Sequence, residues 1–177
     1  MNTAWPDLTP GSWRLWLVPL LVAALLPLVA WQGNTPLFLA FNQAAARLPD
    51  VFWSDVTVLG DTLVAFCVLL LFLRRRPELA MAVLLAALPA TLLSHGIKDL
   101  ADARRPFAVL GDAVHVVGPY LKAGAFPSGH TTTAFVLATV LALGLRAPAH
   151  IAGVTLLALL AAISRIAVGA HWPADLL

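Results

Sequence analysis

Long runs of apolar residues, separated by short polar stretches, dominate this chain. A helix that crosses a membrane needs about 20 mostly apolar residues, and several segments of the sequence come close to that length. These segments are residues 15–31, 56–73, 79–97, 131–145 and 151–168. The pattern therefore predicts an all-α fold, a polytopic transmembrane helix bundle with five visible spans.

A shorter segment between the first two predicted spans, residues 34–49, has apolar residues at helical spacing. These residues are Leu37, Phe38, Phe41, Ala45 and Leu48. The spacing indicates an amphipathic helix that lies on the membrane surface. An ordinary interfacial loop is the alternative interpretation of the same residues.

Composition supports the membrane assignment and limits the function. Of the 177 residues, 60% are hydrophobic and 11% are charged, whereas soluble domains have about 25% charged residues. The length allows a single membrane-embedded domain, residues 1–177. The net charge of +2 is small, and no basic run interleaved with aromatic residues indicates a nucleic-acid partner. The sequence does not determine the oligomeric state.

Side chains that bind phosphate or transfer protons are concentrated in three clusters at the ends of predicted helices. In the first, Arg105 follows Lys98 by seven residues, and Pro106 biases Arg105 towards extended backbone, so the helix should end before it. Lysine offers a point charge, and arginine offers a planar fork for two phosphate oxygens. A cation that extends along the membrane interface is the alternative explanation for Lys98.

The second cluster, Pro127-Ser128-Gly129-His130, directly precedes the fourth predicted span. Ser128 is a natural helix cap, and Gly129 lets a ligand approach the backbone. Free amides at a helix N-terminus attract anions. His130 would then lie where its proton could reach a bound phosphate ester. A capped helix with an interfacial histidine is the structural alternative.

The third cluster consists of Ser164-Arg165 with His171 and Asp175. A charged arginine near the end of a span is costly unless it faces a polar cavity or a partner. Asp175 lies four residues after His171, within reach of its ring, where it would orient the imidazole and stabilise its cationic form. Taken alone, the pair could also simply cap a helix.

The cations of the chain predict which side of the membrane holds these clusters. Arg74-Arg75-Arg76 directly follow the second span and indicate a cytoplasmic turn. The raw count disagrees, because five cations then lie inside and six outside. If Lys98, Arg105 and Arg165 are left out of the count, only three cations lie outside. We therefore interpret Lys98, Arg105 and Arg165 as functional residues. With the N-terminus inside, all three clusters lie on the outer face.

Together the clusters resemble the complete signature of a known family. Lys98-x6-Arg105-Pro106, Pro127-Ser128-Gly129-His130 and Ser164-Arg165-x5-His171-x3-Asp175 are similar to the three motifs of the type 2 phosphatidic acid phosphatase family. That family shares its catalytic core with vanadium haloperoxidases. The resemblance is close from Lys98 to Asp175, and before it only the helical layout is similar.

The resemblance implies a role for each residue of the clusters. His171 would attack phosphorus and form a phosphohistidine, and Asp175 would orient it. His130 would protonate the leaving oxygen and then activate water. Phosphate oxygens would be bound by Lys98, Arg105, Ser128, Gly129 and Arg165. Positioning and charge stabilisation are the main requirements of phosphoryl transfer, so these cations would serve without a metal or another cofactor.

The implied protein is a multi-pass lipid phosphatase of the bacterial inner membrane, with its active site on the outer, periplasmic face. Its substrate would be a phosphorylated membrane lipid: a prenyl pyrophosphate, phosphatidylglycerol phosphate, phosphatidic acid or a lipid A phosphate. Phosphate transfer between lipids is one alternative. A catalytically silent lipid-phosphate binder or transporter is another, although binding alone would not need His130 and His171.

One departure from the family pattern concerns the end of the chain. Family members of this kind usually have a sixth span after the third motif, whereas this sequence ends at Leu177, two residues after Asp175. We therefore expect the domain to be incomplete at its C-terminus, with the full protein continuing into a further helix.

Overall fold

Helices account for most of the part of the chain that the computed structural model describes, residues 24–25, 33–145 and 147–177. We number the helices from Asn34 onwards α1 to α7, and this part of the chain also contains two short 3-10 helices, Gly111–Ala113 and Pro173–Leu176. The seven are α1 (Asn34–Ala45), α2 (Asp50–Val58), α3 (Thr62–Leu73), α4 (Pro77–Ala101), α5 (Pro106–Leu110), α6 (Gly129–Leu145) and α7 (Pro148–Ala167). These described residues contain no strand, so the predicted all-α class is confirmed for them.

At least two of these helices, α4 and α7, are long and apolar enough to cross a membrane. The pair α2 and α3 passes the same test together but is bent by 49°, and α6 is apolar with 17 residues. Leucines such as Leu85, Leu88 and Leu92 point outwards from α4, as expected where lipid covers the surface. The predicted first span, 15–31, lies outside the described residues apart from 24–25.

The predicted second span, 56–73, is not one continuous helix. α2 ends at Val58 and α3 begins at Thr62, and Asp61 caps α3 by accepting a hydrogen bond from the amide of Leu63 at 2.7 Å. An aspartate at this position satisfies a free amide of the new helix, which favours the break. The prediction of an uninterrupted span is therefore wrong at residues 59–61.

Small residues bring α4, α6 and α7 close together. Ala134 and Ala138 of α6 pack with Ala158 and Ala161 of α7, the kind of contact on which helix association in membranes depends. Near the end of α6, a Cβ on Gly144 would clash with the side chain of Leu79 of α4. The packing places the end of α4, the start of α6 and the end of α7 at one end of the bundle.

α1 packs against the end of α7 and the 3-10 helix Pro173–Leu176. Phe38, Asn42 and Ala45 are buried on one face, whereas Leu37 and Phe41 of the predicted apolar stripe are exposed, as is Leu48 beyond the helix. A helix is confirmed for this segment but ends at Ala45, and its position on the membrane surface stays a prediction. Its buried face contains an asparagine, which the apolar pattern did not include.

The chain reverses direction directly after α7, at Gly169. Here φ is +73°, a left-handed conformation that favours glycine at a helix end. The amides of Ala170 and His171 then donate to the carbonyl of Arg165, at 3.0 and 3.1 Å. A Cβ at Gly169 would lie 2.6 Å from the carbonyl oxygen of His115. The turn that returns His171 towards Arg165 therefore requires glycine.

Replacing Gly169 with alanine should destabilise the protein. We expect a loss of roughly 1–3 kcal/mol from backbone strain, increased by the contact with His115, and a lower midpoint of thermal unfolding in detergent. Gly153→Ala is the control, because Gly153 lies inside α7 with no atom within 4 Å of an added Cβ, so alanine should leave the midpoint unchanged or raise it. Equal midpoints for Gly169→Ala and the wild type would contradict this account.

Candidate active site

Arg105 is held by backbone carbonyl groups from two separate loops. It has extended backbone, with φ −77° and ψ 160°, after α4 has ended at Ala101, as its position before a proline predicts. Its guanidinium donates to the carbonyls of Ala123 at 2.8 Å, Gly124 at 3.2 Å and Ala170 at 3.0 Å. Carbonyl groups orient this cation without cancelling its charge, and Arg105 is only 9% exposed.

Lys98 lies beside Arg105 because both donate to the same acceptor. The ammonium of Lys98, near the end of α4, donates to the carbonyl of Gly124 at 3.0 Å. The two cations of the first sequence cluster are thus neighbours even though the helix ends between them. Their mutual repulsion is tolerated here because each is hydrogen-bonded, and an anion between them would relieve it.

The hydrogen bonds of His171 determine which ring nitrogen carries the proton. Nε2 lies 3.2 Å from Nη1 of Arg105, and Nδ1 lies 3.3 Å from Oδ2 of Asp175. Arginine can only donate, so Nε2 must present its lone pair, and the proton belongs on Nδ1 facing the carboxylate. This arrangement leaves Nε2 available as a nucleophile within a positively charged environment.

Asp175 also joins the second and third clusters. Its Oδ2 accepts from the amide of Trp172 at 2.8 Å, and its carbonyl accepts from the amide of Ser128 at 2.9 Å. Ser128 in turn caps α6, since its Oγ accepts from the amide of Thr131 at 3.4 Å. The start of α6, with Gly129 and His130, is therefore fixed relative to the turn that carries His171.

Arg165 is a buried cation, and one of its N–H groups has no acceptor among the described residues. It is 8% exposed, and its Nη1 donates to Oγ1 of Thr57 in α2 at 2.6 Å. Its Nε is buried and has no hydrogen-bond partner among the described residues. An unpaired buried donor on a charged group is costly, so a ligand oxygen bonded there would be strongly favoured.

His130 completes the group from the start of α6. The charges of Arg165, Asp61, Arg105 and Lys98 act on its ring, so His130 shares the electrostatic environment of the other two clusters. Gly60, in the break between α2 and α3, permits this position: a Cβ there would lie 2.9 Å from Cβ of His130. A larger residue at position 60 would therefore press on the Cβ and the backbone of His130 and shift the start of α6.

The surroundings of His171 also decide its charge. Burial lowers the pKa of His171 to about 4, because the charged form loses its hydration. The hydrogen bond to Asp175 acts in the opposite direction, and the charges of Arg105 and Arg165 lower the pKa further. The imidazole is therefore neutral at physiological pH, as a nucleophile must be.

The structure brings all eight residues predicted from the sequence to the same end of the bundle. Direct contacts link Arg105, His171, Asp175 and Ser128, while Lys98 joins through a shared acceptor. Their catalytic roles stay predictions. Thr57 and Gly60 were not predicted from the sequence, because a lone threonine and a glycine within an apolar run carry no pattern that indicates a site.

A cluster of three cations, two histidines and a carboxylate can bind a tetrahedral oxyanion and accept a phosphoryl group on nitrogen. Comparison with known proteins identifies the family. The sequence profile of the PAP2 superfamily matches residues 79–177. The chain therefore belongs to the PAP2 superfamily, and the resemblance stated from the motifs is confirmed.

Two solved structures have the same fold. The crystal structure of Aquifex aeolicus LpxE is similar with a TM-score of 0.75 and 35% sequence identity, over 81% of this chain and 85% of that one. A transmembrane PAP2 type phosphatidylglycerolphosphate phosphatase from Bacillus subtilis has a TM-score of 0.69 and 19% identity, over 93% and 87%. No curated protein sequence matches this chain. The chain thus has the fold of a membrane PAP2-type lipid phosphatase.

Removing the hydroxyl group of Thr57 should weaken oxyanion binding. Thr57→Val keeps the shape of the side chain but leaves Nη1 of Arg165 without its acceptor. A hydrogen bond to a charged group contributes about 1.5–3 kcal/mol. We expect part of this free energy to be lost from the binding of vanadate, a phosphate mimic, which should be roughly threefold to tenfold weaker. Thr57→Ser, which keeps the acceptor, should bind vanadate almost as tightly as the wild type. Unchanged affinity in Thr57→Val would show that Thr57 does not hold Arg165.

The protonation of His171 can be followed directly by nitrogen NMR of labelled imidazoles, with His171→Gln to assign the signals. In the ligand-free protein, lowering the pH to about 5.5 would protonate an ordinary histidine. The His171 ring should instead stay neutral, with its proton on Nδ1, because burial opposes the charge. Protonation near the ordinary pKa, or a proton on Nε2 in the neutral ring, would contradict the arrangement described above.

Proposed function

We propose that this chain is an integral membrane enzyme that hydrolyses a lipid phosphate monoester or pyrophosphate through a phosphohistidine on His171. The observation that carries this proposal is the hydrogen bonding of His171. Its Nδ1 faces Asp175, and its Nε2 lone pair faces Arg105. A neutral, oriented imidazole among cations is suited to attack phosphorus.

In the first step, Nε2 of His171 forms a bond to phosphorus while the bond from phosphorus to the lipid oxygen breaks. His130 gives its proton to the departing oxygen, so the lipid leaves as an alcohol, or as a phosphate if the substrate is a pyrophosphate. The ring of His171 becomes cationic as the bond forms, and Asp175 stabilises that charge. The geometry supports this role of Asp175, because its carboxylate contacts Nδ1 and leaves Nε2 on the other side of the ring.

In the second step, a water molecule attacks the phosphorus of the phosphohistidine. His130, which lost its proton in the first step, accepts a proton from this water, and the bond between nitrogen and phosphorus breaks. Inorganic phosphate is released, and both histidines return to their starting states. A histidine that acts as an acid in one step and as a base in the next must be able to exist both protonated and neutral during the reaction.

The negative charge of the phosphoryl group would be balanced by Lys98, Arg105 and Arg165. Preorganised donors stabilise charge that develops in a transition state without reorganisation, and the carbonyl contacts of Arg105 provide such preorganisation. The hydroxyl group of Ser128 and the amide of Gly129 would add neutral donors at the start of α6. In this scheme the cations supply the charge that metal ions supply in other phosphoryl transfers.

An apolar groove supports a lipid as the substrate. It runs between α3, α4 and α6, and Thr132 and Thr133, at one end of its lining, follow His130 by two and three residues. Hydrocarbon chains could lie there while the phosphate reaches the histidines. The apolar side chains of this groove include Phe66, Leu69, Val83, Val136 and Leu137.

The arginines at the other end of the bundle favour a site on the outer face of the bacterial inner membrane. Arg74 and Arg75 are exposed after α3, and Arg76 donates to the carbonyl of Gly144 near the end of α6 at 3.5 Å. The candidate active site lies at the opposite ends of α4 and α6. Because short cytoplasmic turns are enriched in cations, the site would face the periplasm.

Phosphate release from a panel of lipid phosphates, in detergent and with EDTA present, tests the proposal. The panel contains a prenyl pyrophosphate, phosphatidylglycerol phosphate, phosphatidic acid and a lipid A phosphate. We expect release from at least one of them without added metal, with His171→Ala slower by at least about a thousandfold, as for other nucleophile deletions. His150→Ala is the control, since His150 is exposed at the far end of α7.

Three outcomes would contradict the proposal. The proposed mechanism is wrong if His171→Ala retains wild-type turnover. Transfer of the phosphoryl group to an added alcohol, with no release to water, would identify a phosphotransferase. Tight binding of lipid phosphates with no turnover at all would identify a binding protein.

A further inference from the structure

Helix α1 carries two asparagines that contact the segment bearing Arg165, His171 and Asp175. Asn34 and Asn42 are eight residues apart, with Phe38 midway, so the three side chains share one helix face. Asn42 and Phe38 are fully buried. Burial of an amide side chain is costly unless its hydrogen bonds are made, and here they are.

Asn42 closes the end of α7. Its Nδ2 donates to the carbonyls of Ile166 at 3.2 Å and Ala167 at 3.0 Å, and to that of His115 at 2.9 Å. Its Oδ1 accepts from the amide of His115 at 2.9 Å. Carbonyl groups in the last turn of a helix lack partners within the helix. Asn42 donates to two of these carbonyls, directly after Arg165.

Asn34 and Phe38 hold the other end of the same segment. The Oδ1 of Asn34 accepts from the amide of Ala174 at 3.0 Å, directly before Asp175. Between the two anchors, the ring of Phe38 packs on the ring of Trp172, with centroids 5.2 Å apart. The segment from Ile166 to Ala174 is thus fixed at its start, its middle and its end by a single helix.

We propose that Asn34 and Asn42 are positioning residues for phosphoryl transfer, because they fix the positions of Arg165, His171 and Asp175 relative to one another. This inference rests on the proposed function for its kinetic consequence, although the positioning also governs oxyanion binding. A reacting atom displaced by about 1 Å can slow a reaction by about a hundredfold. The three functional residues lie directly beside the points that α1 holds, so loss of an anchor would move them.

The two asparagines use opposite ends of the amide, which makes the proposal testable by the same substitution at both positions. Asn34 acts only as an acceptor towards this segment, so Asn34→Asp retains its contact and Asn34→Leu loses it. Asn42 acts chiefly as a donor to carbonyl oxygens. Asn42→Asp therefore replaces donors with a charge that repels those oxygens, and Asn42→Leu removes the donors altogether.

The experiment measures kcat and KM for lipid phosphate hydrolysis and, separately, the affinity for vanadate as a phosphate mimic. We expect Asn42→Asp, Asn42→Leu and Asn34→Leu to lower kcat by roughly 10- to 100-fold with a smaller change in KM, and to weaken vanadate binding. Asn34→Asp should restore kcat and vanadate affinity to near wild-type values. Gln43→Ala is the matched control, because Gln43 is exposed on the opposite face of α1.

Chromatography in detergent and the thermal midpoint identify the folded variants, and Asn34→Leu and Asn34→Asp decide the question if the Asn42 variants do not fold. Wild-type kcat and vanadate affinity in folded Asn34→Leu, or equal losses in Asn34→Leu and Asn34→Asp, would overturn the proposal. If the wild type hydrolyses no lipid phosphate, the proposed function fails, but the order of vanadate affinities among the variants still supports or refutes the positioning role.

Discussion

The burial of two guanidinium groups in an apolar bundle is the constraint on which the structure depends. Arg105 and Arg165 are each less than a tenth exposed, and a buried charge without hydrogen bonds would be strongly destabilising. Arg105 is accommodated by carbonyl groups from residues 123, 124 and 170, and Arg165 by the hydroxyl of Thr57. Among the described residues neither cation is paired with a carboxylate, so the positive charge of both remains available to attract an oxyanion.

The same constraint explains the irregular parts of the fold. Carbonyl groups inside a helix are already bonded, so carbonyls that receive a guanidinium must come from loops and helix ends. The loop before α6 and the turn that follows α7 provide such groups, from residues 123, 124 and 170. Regular helices cross the apolar region, and the non-helical backbone of the described residues lies towards the ends of the bundle.

Much of the site could be predicted from sequence because its residues are chemically unusual for their surroundings. Lysine, arginine, histidine and aspartate beside apolar runs stand out, and the spacing of His171 and Asp175 already implied contact. Thr57, Gly60, Asn34 and Asn42 could not be identified in this way. Threonine, glycine and asparagine occur in many structural contexts, and the partners of Asn42 are 73, 124 and 125 residues distant. The break at Asp61 was missed because hydropathy is insensitive to one capping residue.

The sequence by itself determined the class of structure and the chemical inventory. Apolar runs require helices, since the backbone in lipid must satisfy its own hydrogen bonds, and the motifs supplied cations, imidazoles and a carboxylate. Only the tertiary structure decided how these groups face one another. The proton on Nδ1 of His171 follows from Arg105 lying at Nε2, a contact between residues 66 apart. The anchoring of residues 166–174 by α1 likewise depends on contacts that no local pattern encodes.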